Sequence, residues 1–238
     1  MQWSAPLQSR TRWAVAIAAI ALVAVYIFPI WQISLDAPQY PEGLGMEIWV
    51  HTVTGENPND LQNINGLNHY IGMKEIDPDT IPELVYMPWI IAGLMVLGLG
   101  VALINRRWAL ALWATLFLLF AIAGMVDFYI WAYDYGHDLN PEAAIKVPGM
   151  SYMPPILGTK QMLNITAGSW PAIGGIIMML SCAAACGLTA FELFWADTPD
   201  QNASDTDTAP SSAPASTDAS IDVHPSASSA SSSSTSVA

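Results

Sequence analysis

Apolar residues along this chain gather into four blocks of about 20, the length a helix needs to cross a ~30 Å hydrocarbon core. The blocks run over Trp13–Ile33, Met87–Ile104, Trp108–Trp131 and Pro171–Trp195. Arg10 and Arg12 precede the first, and Arg106 and Arg107 fill the short turn between the second and third. Arginine on one side marks the cytoplasm. The pattern therefore predicts an all-α membrane protein of four transmembrane helices, with an external cap formed by two long loops. On this reading residues 1–12 are a cytoplasmic N-terminus, 34–86 and 132–170 are the external loops, 105–107 is a cytoplasmic turn, and both termini are cytoplasmic. The first block is too long for a signal-peptide core and lacks a small-residue cleavage site after it, since Ile30, Trp31 and Ile33 continue the apolar run. Tryptophans at the block ends, including Trp31 and Trp131, read as interfacial anchors.

Within the loops, Leu44–Val53 suits a short strand and Asn59–Met73 has helical spacing through Leu61, Ile64, Leu67 and Ile71. Thr80, Pro82 and Glu83 form a capping-box start for the segment leading into the second span. Pro29 predicts a kink near the outer end of the first span. Gly93, Gly98 and Gly100 would let helices approach closely, and the small residues around Cys182 and Cys186 suggest the same. The Pro, Tyr and Met content of both loops predicts that they fold on each other.

Charge alters this picture little. The formal net charge is −13, and six of the acidic residues lie in 197–238, a Ser/Ala/Asp tail without Lys or Arg. That tail has too few large apolar residues to offset its ordering entropy and is expected to be disordered. No basic nucleic-acid surface is present. The two cysteines make no disulfide framework. No nucleophile triad, phosphate loop or dinucleotide fingerprint occurs, and the chain reads as non-enzymatic.

The candidate chemistry is soft-metal binding. His51, His69 and His137 fall in the external loops, with Met46, Met73, Met150, Met153 and Met162. Imidazole and thioether suit Cu(I). His69 and Met73 are four apart, so on a helix they would share a face. Met150 and Met153 flank Ser151-Tyr152 in a proline-stiffened loop. A Cu(I) site would draw on His69, Met73, Met150 and Met153, with His137 as a further ligand. Methionine also fills irregular packing gaps and histidine also serves in ordinary hydrogen bonds, so the spacing leaves both readings open. Asp127 would form a polar track with Asp134 and His137, or pair with Lys74, Lys146 or Lys160. Glu192 is expected to snorkel at the cytoplasmic interface.

Several strings in the loops carry a resemblance. Leu35-Asp36-Ala37-Pro38-Gln39-Tyr40-Pro41-Glu42-Gly43-Leu44, Ile64-Asn65-Gly66-Leu67-Asn68-His69-Tyr70-Ile71-Gly72-Met73, Asp127-Phe128-Tyr129 through His137, and Pro148-Gly149-Met150 through Gln161 resemble a small family of membrane proteins. Such proteins are encoded in nitrous-oxide reductase gene clusters of Bacteroidota and relatives. The resemblance covers about 13–195. It implies a membrane-anchored accessory protein for maturation of that reductase, binding or handing over Cu(I) on the outer face. Its partners would be the lipid bilayer, nitrous-oxide reductase, a NosL-like copper chaperone or a NosDFY-like transporter. The alternatives are a metal-free membrane scaffold and an electron or proton transfer partner of the reductase.

Overall fold

The computed structural model describes residues 3–145, 151–162 and 164–196. The 197–238 tail, on which disorder was expected, lies outside the described residues. Among these residues, four helices are long and apolar enough to cross a membrane. The first is α1 (Ser9–Ala21), continued as a 3₁₀ segment over Leu22–Tyr26, and α3 spans Glu83–Ile104. The others are α4 (Arg107–His137) and α5 (Ile173–Phe194). Contacts join α1 to α3 and α5, and α4 to α3 and α5, so the helices neighbour one another around a ring. Trp13, Trp89, Leu103, Leu119 and Leu180 stay exposed around its outside. The interior holds Val15, Leu22, Ile91, Leu110, Trp113 and Phe117.

The all-α expectation is overturned by a five-stranded antiparallel sheet, ordered β3-β2-β1-β5-β4. Its strands are β1 (Trp31–Ala37), β2 (Tyr40–Ile48), β3 (Val53–Gly55), β4 (Gly158–Met162) and β5 (Ile165–Pro171). The helix of the first block does not reach Ile33. It tightens to 3₁₀ at Leu22 and ends at Tyr26. Pro29 lacks an amide hydrogen and stands where the chain leaves the helix rather than at a kink. From Trp31 the apolar period changes to 2: Trp31, Ile33 and Ala37 are buried, while Gln32, Ser34 and Asp36 alternate with them. A sheet also gives the backbone of these segments hydrogen-bond partners that an irregular loop would lack.

β1 and β5 pair along six residues, from Trp31 opposite Pro171 to Asp36 opposite Thr166. They directly extend the neighbouring helices α1 and α5. The crossing is close, because a Cβ on Gly175 would fall 2.0 Å from the Ile30 carbonyl oxygen. Gly174 donates its amide to the Pro29 carbonyl at 2.9 Å. Trp31 donates its indole N–H to Ser169 Oγ at 2.7 Å, and Ser169 donates to the Ile156 carbonyl. Trp31 is thus a core residue, not an interfacial anchor.

Helix α2 (Asp60–Ile71) packs on β2 and β3. Asp60 ties it to the sheet. Its Oδ2 accepts from the Gly45 amide at 3.0 Å, the Asn57 amide at 3.1 Å and Asn57 Nδ2 at 3.0 Å. Burial alone pushes this carboxyl up, but the three donors outweigh it and hold it below the usual aspartate range. A depressed pKa stabilises the fold above the unfolded value and ceases to do so as pH falls through the folded one. Asp60→Asn should therefore lower the melting temperature at pH 6 and narrow its gap to wild type below about pH 4. Melting curves between pH 2 and 6 check this. A constant gap across that range would show that the ionised carboxylate is not the source of the stabilisation.

Other local expectations are redrawn. The capping box at Thr80 does not form. Asp77 caps a 3₁₀ turn over Pro78–Thr80 by accepting the Asp79 amide at 3.1 Å, and Thr80 donates back to the Asp77 carbonyl at 2.8 Å. Of the span-two glycines, only Gly98 meets a neighbour. A Cβ there would lie 2.8 Å from the Trp113 ring, whereas Gly93 and Gly100 face open space. Trp113 donates its indole N–H to the Leu94 carbonyl at 2.9 Å in the same contact.

Glu192 does not snorkel. It is 1% exposed, and Arg107 is 7% exposed. Arg107 Nε donates to Glu192 Oε2 at 3.1 Å, while Glu192 Oε1 accepts the Gln8 amide at 2.9 Å. The pair joins the start of α1, the start of α4 and the end of α5.

Candidate functional site

The chemistry-bearing residues sit at the sheet end of the helix ring. Here α4 continues past Trp131 to His137, and an aromatic ladder follows it. Trp131 and Tyr135 lie tilted by 30° with centroids 4.2 Å apart, and Tyr133 stacks on His137 with centroids 4.0 Å apart. The end of α4 and the segment after it clamp the end of α2. Asn140 donates to the Gly72 carbonyl at 2.8 Å, Ile145 to the Tyr70 carbonyl at 3.0 Å, and Tyr135 Oη to the Glu75 carbonyl at 3.0 Å. Lys74 and Asp138 form an ion pair at 2.7 Å. That carboxylate holds the ammonium above its usual pKa.

The end of α2 decides where His69 and Met73 go. Gly72 adopts φ +82°, a left-handed conformation that favours glycine. Its amide donates to the His69 carbonyl at 3.3 Å, and the Met73 amide donates to the Asn68 carbonyl at 2.9 Å. This pair of bonds is a Schellman turn, which folds the chain back over the helix it ends. Met73 therefore lies beyond the helix, not on its face as the four-residue spacing suggested. The reversal still brings Met73 and His69 to one open groove of about 320 Å³, shared with Gln62, Asn65, Gly66 and Glu75.

The other expected ligands are elsewhere. His137 Nδ1 is 2.9 Å from the Tyr133 carbonyl, one turn back on its own helix. Met153 lies against Gly136, where a Cβ would come within 2.3 Å of the Met153 Cα. Met150 and Lys146 fall outside the described residues. Among the described residues no three His, Cys, Asp or Glu side chains converge to hold a metal. Asp127 is exposed on α4 and joins no ion pair among the described residues, Lys74 being taken by Asp138.

A second space lies under the sheet. It is an apolar cavity of about 80 Å³ bordered by Met46, Met73, Met162, Trp131 and Tyr152, with Asn68 at its edge. Trp131, read from the sequence as an interfacial anchor, is part of this wall. Spacing alone gave no hint of the cavity, because its walls come from β1, β2, β4, β5, α2, the Met73–Ile76 segment after it, the end of α4 and the Tyr152–Pro154 segment. Compared with known proteins, the chain matches no family model and no curated protein.

Proposed function

We propose that this chain is a non-enzymatic, multi-pass accessory protein of the cytoplasmic membrane that holds Cu(I) transiently at the His69–Met73 groove. In this reading the arginine end is cytoplasmic, the sheet end is outside, and the metal passes to an extracytoplasmic cuproenzyme or chaperone. The observation that carries it is the Schellman turn, which delivers one imidazole and one thioether to the same open groove. Both are soft enough for Cu(I) and poor ligands for Mg or Ca. Glu75 adds negative charge to the same groove. An open two-ligand site suits a metal that must leave again. The resemblance to proteins of nitrous-oxide reductase gene clusters supports that reductase, or a copper chaperone or transporter serving it, as the partner. His137, Met150 and Met153 are not needed in this narrower ligand set.

The test is Cu(I) competition titration of the full chain in nanodiscs. Wild type should bind one Cu(I). His69→Ala and Met73→Leu should each weaken binding about tenfold or more, the loss expected of one ligand at about 1.4 kcal/mol per decade. His137→Ala should leave it unchanged. Equal binding by the His69→Ala/Met73→Leu double variant would rule this site out. A metal-free scaffold is the second reading, favoured by the exposed stack of Tyr129, Tyr133 and His137 along α4. A partner that co-purifies equally well with that double variant would support the scaffold.

A further inference from the structure

Met73 stands between two spaces of opposite character. On one side is the open groove it shares with His69, Asn65 and Glu75. On the other is the apolar cavity beneath the sheet, which it borders with Ile64, Leu67, Trp131, Tyr135 and Ile165. Among the described residues no other borders both.

The backbone at this point is pinned. The Met73 amide is held by the Asn68 carbonyl in the Schellman turn, and the Gly72 carbonyl accepts the Asn140 amide at 2.8 Å. Beyond Met73, Asn68 Nδ2 donates to the Lys74 carbonyl at 3.4 Å and Tyr135 Oη to the Glu75 carbonyl at 3.0 Å. Asn65 accepts the Ile76 amide at 2.8 Å and donates to the Ile76 carbonyl at 3.1 Å. The freedom that remains belongs to the side chain. Methionine is unbranched, turns about three bonds and adapts its shape to what it touches.

The two spaces offer that side chain different partners. In the groove the thioether joins an imidazole, and both suit Cu(I). The cavity offers apolar burial alone. No charged residue lines it, so the ion cannot follow the sulfur inward without losing hydration for no countercharge. Its volume of about 80 Å³ is well above the ~10–15 Å³ that admits one water, and it takes the end of a thioether. Each methyl-sized group buried favours the inward position roughly fourfold.

We propose that Met73 is a ligand with two positions, turned into the cavity when the groove is empty and out beside His69 when Cu(I) is bound. The proposal rests on the copper reading of the groove and states how that site lets its metal go. The apparent affinity is the intrinsic one reduced by the fraction of chains with Met73 turned outward. Withdrawal breaks the Cu–S bond with no change of oxidation state and no proton moved. His69 is then the one soft ligand left in the groove, and a partner's ligand can take the ion from it.

Methyl NMR on the full chain in nanodiscs, with ¹³C-labelled methionine and Met73→Leu to assign the signal, reads the position directly. Metal-free protein should show contacts from the Met73 methyl group to the Trp131 or Tyr135 ring. Cu(I) should replace them with a contact to the His69 ring. Leu67→Phe fills the cavity from α2 and Ile165→Phe fills it from β5, and neither residue borders the groove. Each should tighten Cu(I) about fourfold in competition titration, and neither should do so in a Met73→Leu background. Cu(I) binding that both filling variants leave unchanged, or a metal-free Met73 methyl group without contact to either ring, would overturn the proposal. Absence of Cu(I) binding by wild type is a different result. It would remove the copper reading itself, and this proposal with it.

Discussion

Glu192→Leu should destabilise the protein by about 3–5 kcal/mol, the cost typical of leaving one member of a buried ion pair alone. Arg107 would keep its charge in a site where it is 7% exposed, with the Ala196 carbonyl at 3.4 Å as the one remaining acceptor of its guanidinium among the described residues. The Gln8 amide would lose its acceptor as well. The double variant Arg107→Met/Glu192→Leu should recover most of the loss, since apolar replacement of a whole buried pair is often neutral or better. Reversible unfolding in mixed detergent micelles, with all variants in one micelle composition, measures the three values. If the double variant is as unstable as the single, the loss comes from packing of the Glu192 stem and not from the stranded guanidinium.

The second large effect belongs to Gly136. A Cβ there would fall 2.3 Å from both the Cα and the amide nitrogen of Met153, and backbone cannot swing aside as a side-chain tip can. Gly136→Ala should therefore push the Tyr152–Pro154 segment off α4 at a cost of about 3 kcal/mol, the upper part of the usual overpacking range. The Tyr152–Gly136 hydrogen bond would go with it. Proteolysis between Ser151 and Leu157 should become faster, while Cu(I) binding at the groove should persist. Gly66→Ala makes a useful contrast. Its added methyl group meets nothing within 4 Å inside α2, so it should stabilise the fold by about 0.5–1 kcal/mol. If Gly136→Ala melts like wild type, the contact with Met153 is not a fixed part of the fold.

The helix ring was legible because runs of about 20 apolar residues carry a strong signal. The sheet was hidden by its junction with that signal. Trp31 and Ile33 are apolar enough to read as the last turn of a span, yet the sequence Trp31-Gln32-Ile33-Ser34-Leu35-Asp36-Ala37 alternates as a strand should. Read from Leu35 backwards, that period of 2 was available. β4 gave less warning, since Thr159, Lys160 and Gln161 are polar and exposed, and its pairing with β5 defines it. Glu192 misled for a different reason. A carboxylate near a helix end usually reaches for water, and nothing local says that Arg107, 85 positions earlier, waits beside it. At the candidate site, His69 and Met73 line one groove, but not by the route their spacing suggested. Their proximity rests on Gly72 and a chain reversal, not on a shared helix face. The cavity needed the assembled fold, because it is not a property of any one segment.

The pairing of β1 with β5 sets an order of events during synthesis. β1 is finished by Ala37, but its partner begins only at Ile165, after α3 and α4 have been made. One edge of β1 must therefore wait, with β2 on its other side, while well over a hundred further residues leave the ribosome. An exposed strand edge is a template for pairing with the wrong chain. Asp36, Pro38 and Pro41 at the end of that hairpin carry charge and missing amide hydrogens, features that make such an edge a poorer template. The strand that closes the sheet thus arrives just ahead of α5, and the cavity bordered by Met162 and Ile165 takes its final shape only then.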